Sequence, residues 1–343
     1  MSRVGIREVA TLAEVSLGTV SHYINHPARV SPEKQQRIQR AIDQLGFVRN
    51  NAAWQLRLGR SATMAYIAPD VSNPFFATIA EGVEQRAAAE GFSVFIANSG
   101  RSREREDAYL ELFEAQRVQG LLVASHDPIE ERLLQLRQRG TPSVLVGQRA
   151  VSDQQPSVSI DDVTGGYLAV RHLLDCGRKR IAFVGGPLGI RQVADRLEGA
   201  SKAIAENPEA TLEVINVADR TIAEGRVVAA GIARRPEESR PDAVFAVNDL
   251  LALGLLQAFV VDHGVSVPHD IALVGYDDIE FGESSIIPLT SVRAPHEEFG
   301  IAAVELLLAE LSGEPSDAPK HVVFPPHLVV RGSTVTSETA VSA

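Results

Sequence analysis

Residues 6–25 read IREVATLAEVSLGTVSHYIN, and their spacing decides the fold of the N-terminal part. Ile6, Val9 and Ala10 share one helical face over 6–13; Val20 and Ile24 share one over 17–24, with Ser16 placed to cap that second segment. Glu14 and Val15 leave room only for a short turn between them. A helix-turn-helix has that spacing, and so does an ordinary small helical bundle. A third helix begins at Ser31-Pro32, a capping residue followed by proline at the first helical position. Ile38, Ala41, Ile42 and Leu45 continue its apolar face, and Gly46 is a natural stop.

Charge separates this segment from the rest. Residues 1–60 carry nine Arg or Lys and four acids, while the remainder carries 24 basic and 40 acidic side chains. A net of -11 over the whole chain argues against a general nucleic-acid binder, but a basic head on an acidic body is what contact with phosphates requires. The single cysteine, Cys176, allows no intramolecular disulfide and no cysteine-rich metal site. The start of the chain has no signal-peptide pattern, and no apolar run reaches about 18 residues, so a cytoplasmic protein outside the membrane is expected.

From about Ser61 the pattern changes. Short apolar runs at 64–68, 93–97, 120–124, 143–146, 157–160, 180–184, 213–217, 243–247 and 271–274 read as strands. Amphipathic stretches at 76–90, 103–117, 166–176, 194–205, 221–233, 250–261 and 299–311 read as helices. Repeated alternation predicts parallel sheets covered by helices on both faces. About 280 residues exceed one such sheet, so two lobes are expected, with a switch near 161–166 and ligand contacts just beyond the strand ends.

Taken in order, these strings resemble the LacI/GalR family of bacterial regulators over nearly the whole chain. The headpiece match runs through Ile6-Arg7-Glu8-Val9-Ala10, Ala13-Glu14-Val15-Ser16, Thr19-Val20-Ser21-His22-Tyr23-Ile24-Asn25, Val30-Ser31 and Leu45-Gly46-Phe47. In the core it runs through Asn73-Pro74-Phe75-Phe76, Gly185-Gly186-Pro187, Arg196-Leu197-Glu198-Gly199, Val247-Asn248-Asp249 and Val274-Gly275-Tyr276-Asp277-Asp278.

The resemblance implies an all-α helix-turn-helix DNA-binding domain at 1–46, a hinge helix at 47–61, and an α/β core at 62–343 that binds the effector and dimerises. The core would be two doubly wound parallel-sheet lobes like those of periplasmic sugar-binding proteins, about 62–161 plus 293–321 and 162–292 plus 322–343. The second helix would enter the major groove of a near-palindromic operator bound by a homodimer. Leu17, Gly18, Ser21 and His22 would face base edges, and Ser16, Thr19 and Asn25 phosphates or caps. Gly18 offers no side chain, and His22 is either a base or phosphate contact or a solvated surface histidine.

In the hinge, Leu56 would wedge into the minor groove and Ala53 would permit close approach. Arg49 stands where proline is frequent and Trp54 where a polar residue is usual. Trp54 packs on the core, meets its partner hinge, or stiffens the segment.

The effector pocket would take a sugar or sugar derivative between the lobes. Phe75 and Phe76 would offer a flat face or else pack in the core; Gln192, Arg196, Asn248 and Asp277 would supply polar contacts; Asp161 would be a contact or a helix cap. Arg220, where relatives often carry an aromatic, would make three arginines near one cleft with Arg191 and Arg196. That set points to an anionic effector unless Arg220 pairs with a nearby acid.

No catalytic residue, cofactor or metal is expected, because Walker, HExxH and GxSxG motifs are absent. A transport solute-binding protein would share the core, but the basic headpiece and the missing signal sequence count against it. The tail at 333–343 lacks a heptad repeat, so no tetramerising coiled coil is expected there.

Overall fold

The structure is a computed structural model that describes residues 4–25, 29–47, 62–313 and 319–335. The chain divides into two units, Met1–Arg60 and Ser61–Ala343. The hinge positions Arg49, Ala53, Trp54 and Leu56 lie outside the described residues.

The first unit contains helices α1 (Ile6–Leu12), α2 (Leu17–Asn25) and α3 (Pro32–Leu45). Val9, Val20 and Ile38 are fully buried at the centre of its core, with Ala10, Ala13, Val30 and Ala41 around them. The turn between α1 and α2 passes through Glu14 at φ +49. Arg37 of α3 fastens this turn, donating to the Glu14 carbonyl at 3.2 Å and to its carboxylate at 2.8 Å. Ser16 caps α2 by accepting from the Thr19 amide at 3.1 Å, and Gly46 ends α3 in the left-handed region at φ +59. Phe47, expected in the connector, packs instead against this small core.

The second unit holds two six-stranded sheets. The first comprises β1 (Thr63–Ala68), β2 (Ser93–Asn98), β3 (Leu121–Ala124), β4 (Ser143–Val146), β5 (Ser157–Ile160) and β11 (His321–Phe324), all parallel, in the order 11-5-4-3-1-2. The second comprises β6 (Arg180–Gly185), β7 (Thr211–Asn216), β8 (Ala243–Ala246), β9 (Ala272–Asp277), β10 (Thr290–Arg293) and β12 (His327–Val329), in the order 12-10-9-8-6-7. Only β12 is antiparallel. Strand β1 shows why the core strands read as unbroken apolar runs: Met64, Tyr66 and Ala68 enter one cluster and Ala65 and Ile67 the other.

The covering helices are α4 (Pro74–Ala89), α5 (Arg103–Ala115), α6 (Glu130–Gln138), α7 (Asp162–Asp175), α8 (Arg191–Ala205), α9 (Ile222–Ala233), α10 (Asp249–Gln257), the short α11 (Glu280–Glu283) and α12 (His296–Ser312). Three pairs cross on reciprocal glycines. A Cβ on Gly166 would lie 2.0 Å from the Arg196 carbonyl oxygen, and one on Gly199 1.9 Å from that of Val163. Gly82 and Gly300 serve α4 and α12 in the same way, and Gly225 and Gly254 serve α9 and α10.

The chain passes between sheets three times: after β5, after β10 and between β11 and β12. Residues 321–324 therefore belong to the first sheet, so the last passage falls at 325–326, slightly later than the expected 321/322 boundary. Strands β10, β11 and β12 had no counterpart among the expected strands; each is only three or four residues long, and β11 and β12 are only partly buried edges.

Candidate functional site

In the first unit, α2 turns Val20 inward and leaves Ser16, Leu17, Gly18 and His22 exposed, Leu17 at 45%. The result is an open N-terminal turn on a helix anchored by its other face. Ser16 and Thr19 hydroxyls bond each other at 2.8 Å, so both serve the cap. Ser21 is partly buried, and the side chain of Asn25 is outside what is described. Arg7, Arg29, Lys34 and Arg40 are exposed, whereas Arg37 is held by Glu14 at 2.8 Å.

In the second unit, one cleft gathers residues from both sheets. Each sheet has its topological switch between its first and third strands, where segments leaving the strand ends diverge. In the first sheet these segments supply Asp70 and Asn73 after β1 and Ser125 and His126 after β3. In the second they supply Ile190 and Gln192 after β6 and Asn248 after β8.

Phe75 and Phe76 both reach this cleft from the first turn of α4. Pro74 starts that helix, and Asn73 caps it by accepting from the Phe75 amide at 3.1 Å. The two rings pack edge to face, 4.9 Å apart, and both are nearly buried, so they serve core and cleft together. Gln192 donates to the Gly147 carbonyl at 3.0 Å, while its Oε1 is buried without a partner. Asn248 caps α10 through the Leu251 amide at 3.1 Å and donates to the Arg220 carbonyl at 3.2 Å.

Arg196 is the buried charge of the second wall. Its Nε donates to Asp162 at 2.8 Å, its Nη1 donates to the Val247 carbonyl, and its guanidinium carbon lies 3.5 Å from the Tyr276 ring centroid. Burial works against its charge, but Asp162, Tyr276 and Asp277 together outweigh it and raise the pKa, so the side chain stays cationic. Asp277, in the left-handed region at φ +98, lies 3.8 Å from Arg196. Burial lifts its carboxyl to about 7, against the pull of Arg196. His126 is pushed down to about 3 by burial and then by the charge of Arg220, which keeps its imidazole neutral.

Two expectations change. Asp161 does not line the cleft: it caps α7, accepting from the Thr164 amide at 2.9 Å and its hydroxyl at 2.7 Å. Asp162, one residue on, lines the cleft instead. Arg191 also lies off the cleft, because α8 begins at 191 rather than 194; it is exposed and pairs with Asp195 at 3.0 Å. The third arginine of the cleft is Arg101, which follows β2 at φ +60 and contacts Asp219 across the lobes. Asp70, Asn73, Arg101, Ser125, His126 and Asp162 were missed as cleft residues. Their signal was position, since most of them follow a strand closely.

Comparison with known proteins covers both units. Residues 5–50 match the model described as bacterial regulatory proteins, lacI family, and residues 170–334 that of a periplasmic binding protein-like domain. The chain is 32% identical over 331 residues to the HTH-type transcriptional repressor PurR of Vibrio atlanticus, covering 96% of this chain and 98% of that one. It is similar in structure to the Lac repressor dimer bound to operator and the anti-inducer ONPF, with TM-score 0.82, 27% identity, and coverage of 98% of this chain and 100% of that one. It is also similar to the transcriptional regulator CelR in complex with cellobiose, with TM-score 0.69, 32% identity, and coverage of 96% and 100%.

Proposed function

The chain belongs to the lacI family of bacterial regulatory proteins, and from that premise we propose that it is a transcriptional repressor whose hold on operator DNA is switched by a sugar-like effector. The observation that carries this reading is the open first turn of α2 on a separately packed headpiece, joined in one chain to a two-lobed core with a polar cleft.

Leu17, Gly18, Ser21 and His22 are the base-facing set, with Ser16, Thr19 and Asn25 on the phosphate side and Ala53 and Leu56 in the minor groove. The headpiece is 1–46, the hinge 47–61, and the rest senses effector and dimerises, so that two headpieces read two half-sites. DNA as target puts the protein in the cytoplasm. Phe75, Phe76, Gln192, Arg196, Arg220, Asn248 and Asp277 meet the effector, and the cellobiose held by a relative supports a sugar-like one. Effector binding favours one relative orientation of the lobes and thereby alters the hinge. The fold family is one of regulators, and a binding role without chemistry is the reading that follows.

The test is a titration of the full chain against labelled genomic fragments from around its own coding region. Saturable binding is expected, together with a loss of about 1–3 kcal/mol for His22→Ala and a marked loss for Leu56→Ala. Binding no tighter than to random DNA, with and without a cellular metabolite extract, overturns the proposal.

A further inference from the structure

Three arginines and three aspartates line the cleft, but they are not evenly paired. Arg196 faces Asp162 at 2.8 Å and Asp277 at 3.8 Å. Arg101 contacts Asp219 and lies 3.9 Å from Asp70. Arg220 is different. Its Nη1 donates to the Gly186 carbonyl at 2.8 Å, and its Nη2 lies 3.3 and 3.5 Å from the two ring nitrogens of His126. No carboxylate among the described residues forms an ion pair with its guanidinium. The neighbouring Asp219 is engaged by Arg101 and by the backbone amide of Arg220, at 2.7 Å.

A partly buried guanidinium held by a carbonyl and a neutral ring keeps its charge with no carboxylate in direct contact, only the more distant Asp219 and Asp277. Burial and then the nearby charge of Arg101 lower its pKa, which places the two cations close enough to repel. Both line the same cleft, so an oxyanion entering there would relieve that repulsion and gain charge-assisted hydrogen bonds. Asn248, bonded to the Arg220 carbonyl at 3.2 Å, and Asp277 line the same cleft with groups suited to hydroxyls, and Phe75 and Phe76 give it an apolar face.

We propose that the effector is an anionic sugar derivative, a sugar phosphate or a sugar acid, whose oxyanion seats against Arg220 with Arg101 beside it. This rests on the reading of the cleft as the effector site. It sets this chain apart from the relative that holds cellobiose, a neutral sugar.

The experiment is calorimetric titration of the full chain with matched probes: ribose against ribose 5-phosphate, glucose against glucose 6-phosphate and glucuronate, and inorganic phosphate alone. The expected result is saturable binding of at least one anion, at least tenfold tighter than its neutral partner. Arg220→Gln should abolish that preference, and Arg220→Lys should keep part of it. Glucose 6-phosphate and glucuronate separate phosphate from carboxylate. A melting curve confirms that each variant is folded.

Neutral probes binding as tightly as the anions overturn the proposal. So does anion binding unchanged in Arg220→Gln, or no binding of any anion at millimolar concentration. A neutral sugar that alters operator affinity leaves the regulatory reading standing and removes this one. An Arg220-dependent anion site on a chain that binds no operator does the reverse.

Discussion

Arg196 shows how one side chain joins stability to recognition. It is nine-tenths buried, pairs with an equally buried Asp162, and lies against Tyr276. Removing one member of such a pair strands the other charge, so Asp162→Ala should cost about 3–5 kcal/mol, read by urea denaturation. Glu106 offers a pH test away from this pair. Burial lifts its carboxyl to about 7, against a hydrogen bond from Ser125. Below about 4.5 the folded and unfolded chains both hold this proton; between there and about 7 only the folded chain does. This group therefore makes stability fall as pH rises through that window, and contributes no slope above it. Glu106→Gln should lose this slope and gain on the parent chain between pH 5 and pH 8, measured by denaturation at both. At this scale the sequence was legible only in part. Asp161 and Asp162 are identical in type, and which one caps α7 depends on where the helix starts by a single residue. Arg191 misled for the same reason, and Arg101 was passed over because a residue just past an edge strand carries no motif of its own.

At the scale of elements, most helices and strands were read because long apolar alternation leaves little choice, but α6 (Glu130–Gln138) was not, and several helix starts were read late. Caps explain the lateness: Asn73 before Pro74, Asp161 before Asp162 and Asn248 before Asp249 begin their helices ahead of the first strongly apolar face. Those first turns carry Phe75, Phe76 and Asp162, and the first turn of α8 carries Gln192, so a late start hides part of the cleft. Close helix crossings were not legible, since a glycine in a helical run does not reveal what lies opposite. Gly166→Ala should cost about 1–3 kcal/mol by overpacking and should weaken effector binding, because the clashing oxygen belongs to Arg196. Gly231→Ala, on the exposed face of α9 with nothing within 4 Å, should stabilise the chain by about 0.5–1 kcal/mol. Denaturation of the two variants side by side checks both signs.

For the whole molecule, the two units differ greatly in what they bury. Among the described residues, the first packs seven buried apolar side chains and the second three larger clusters. A core that small is marginal by itself. Calorimetry should show the headpiece melting below the main transition, and a fragment of residues 62–343 should keep that main transition. A single coincident transition for both units would contradict this. The two-lobed plan was legible from length and alternation, but the weaving of the chain was not, because β10 (Thr290–Arg293) is mostly polar and β11 and β12 are partly buried edges that open on a histidine.

That weaving bears on how the protein is made. The edge of the first sheet is completed by His321–Phe324, some 160 residues after its neighbour Ser157–Ile160 has been synthesised. The headpiece, by contrast, closes on contacts among its first 47 residues. On the ribosome the DNA-reading part is therefore complete well before either lobe, since each lobe waits for a strand within residues 321–329. A message cut or frameshifted anywhere between β5 and β11 yields a polypeptide with an intact headpiece and an unfinished sensor. Cellular quality control would meet such a product as an exposed sheet edge.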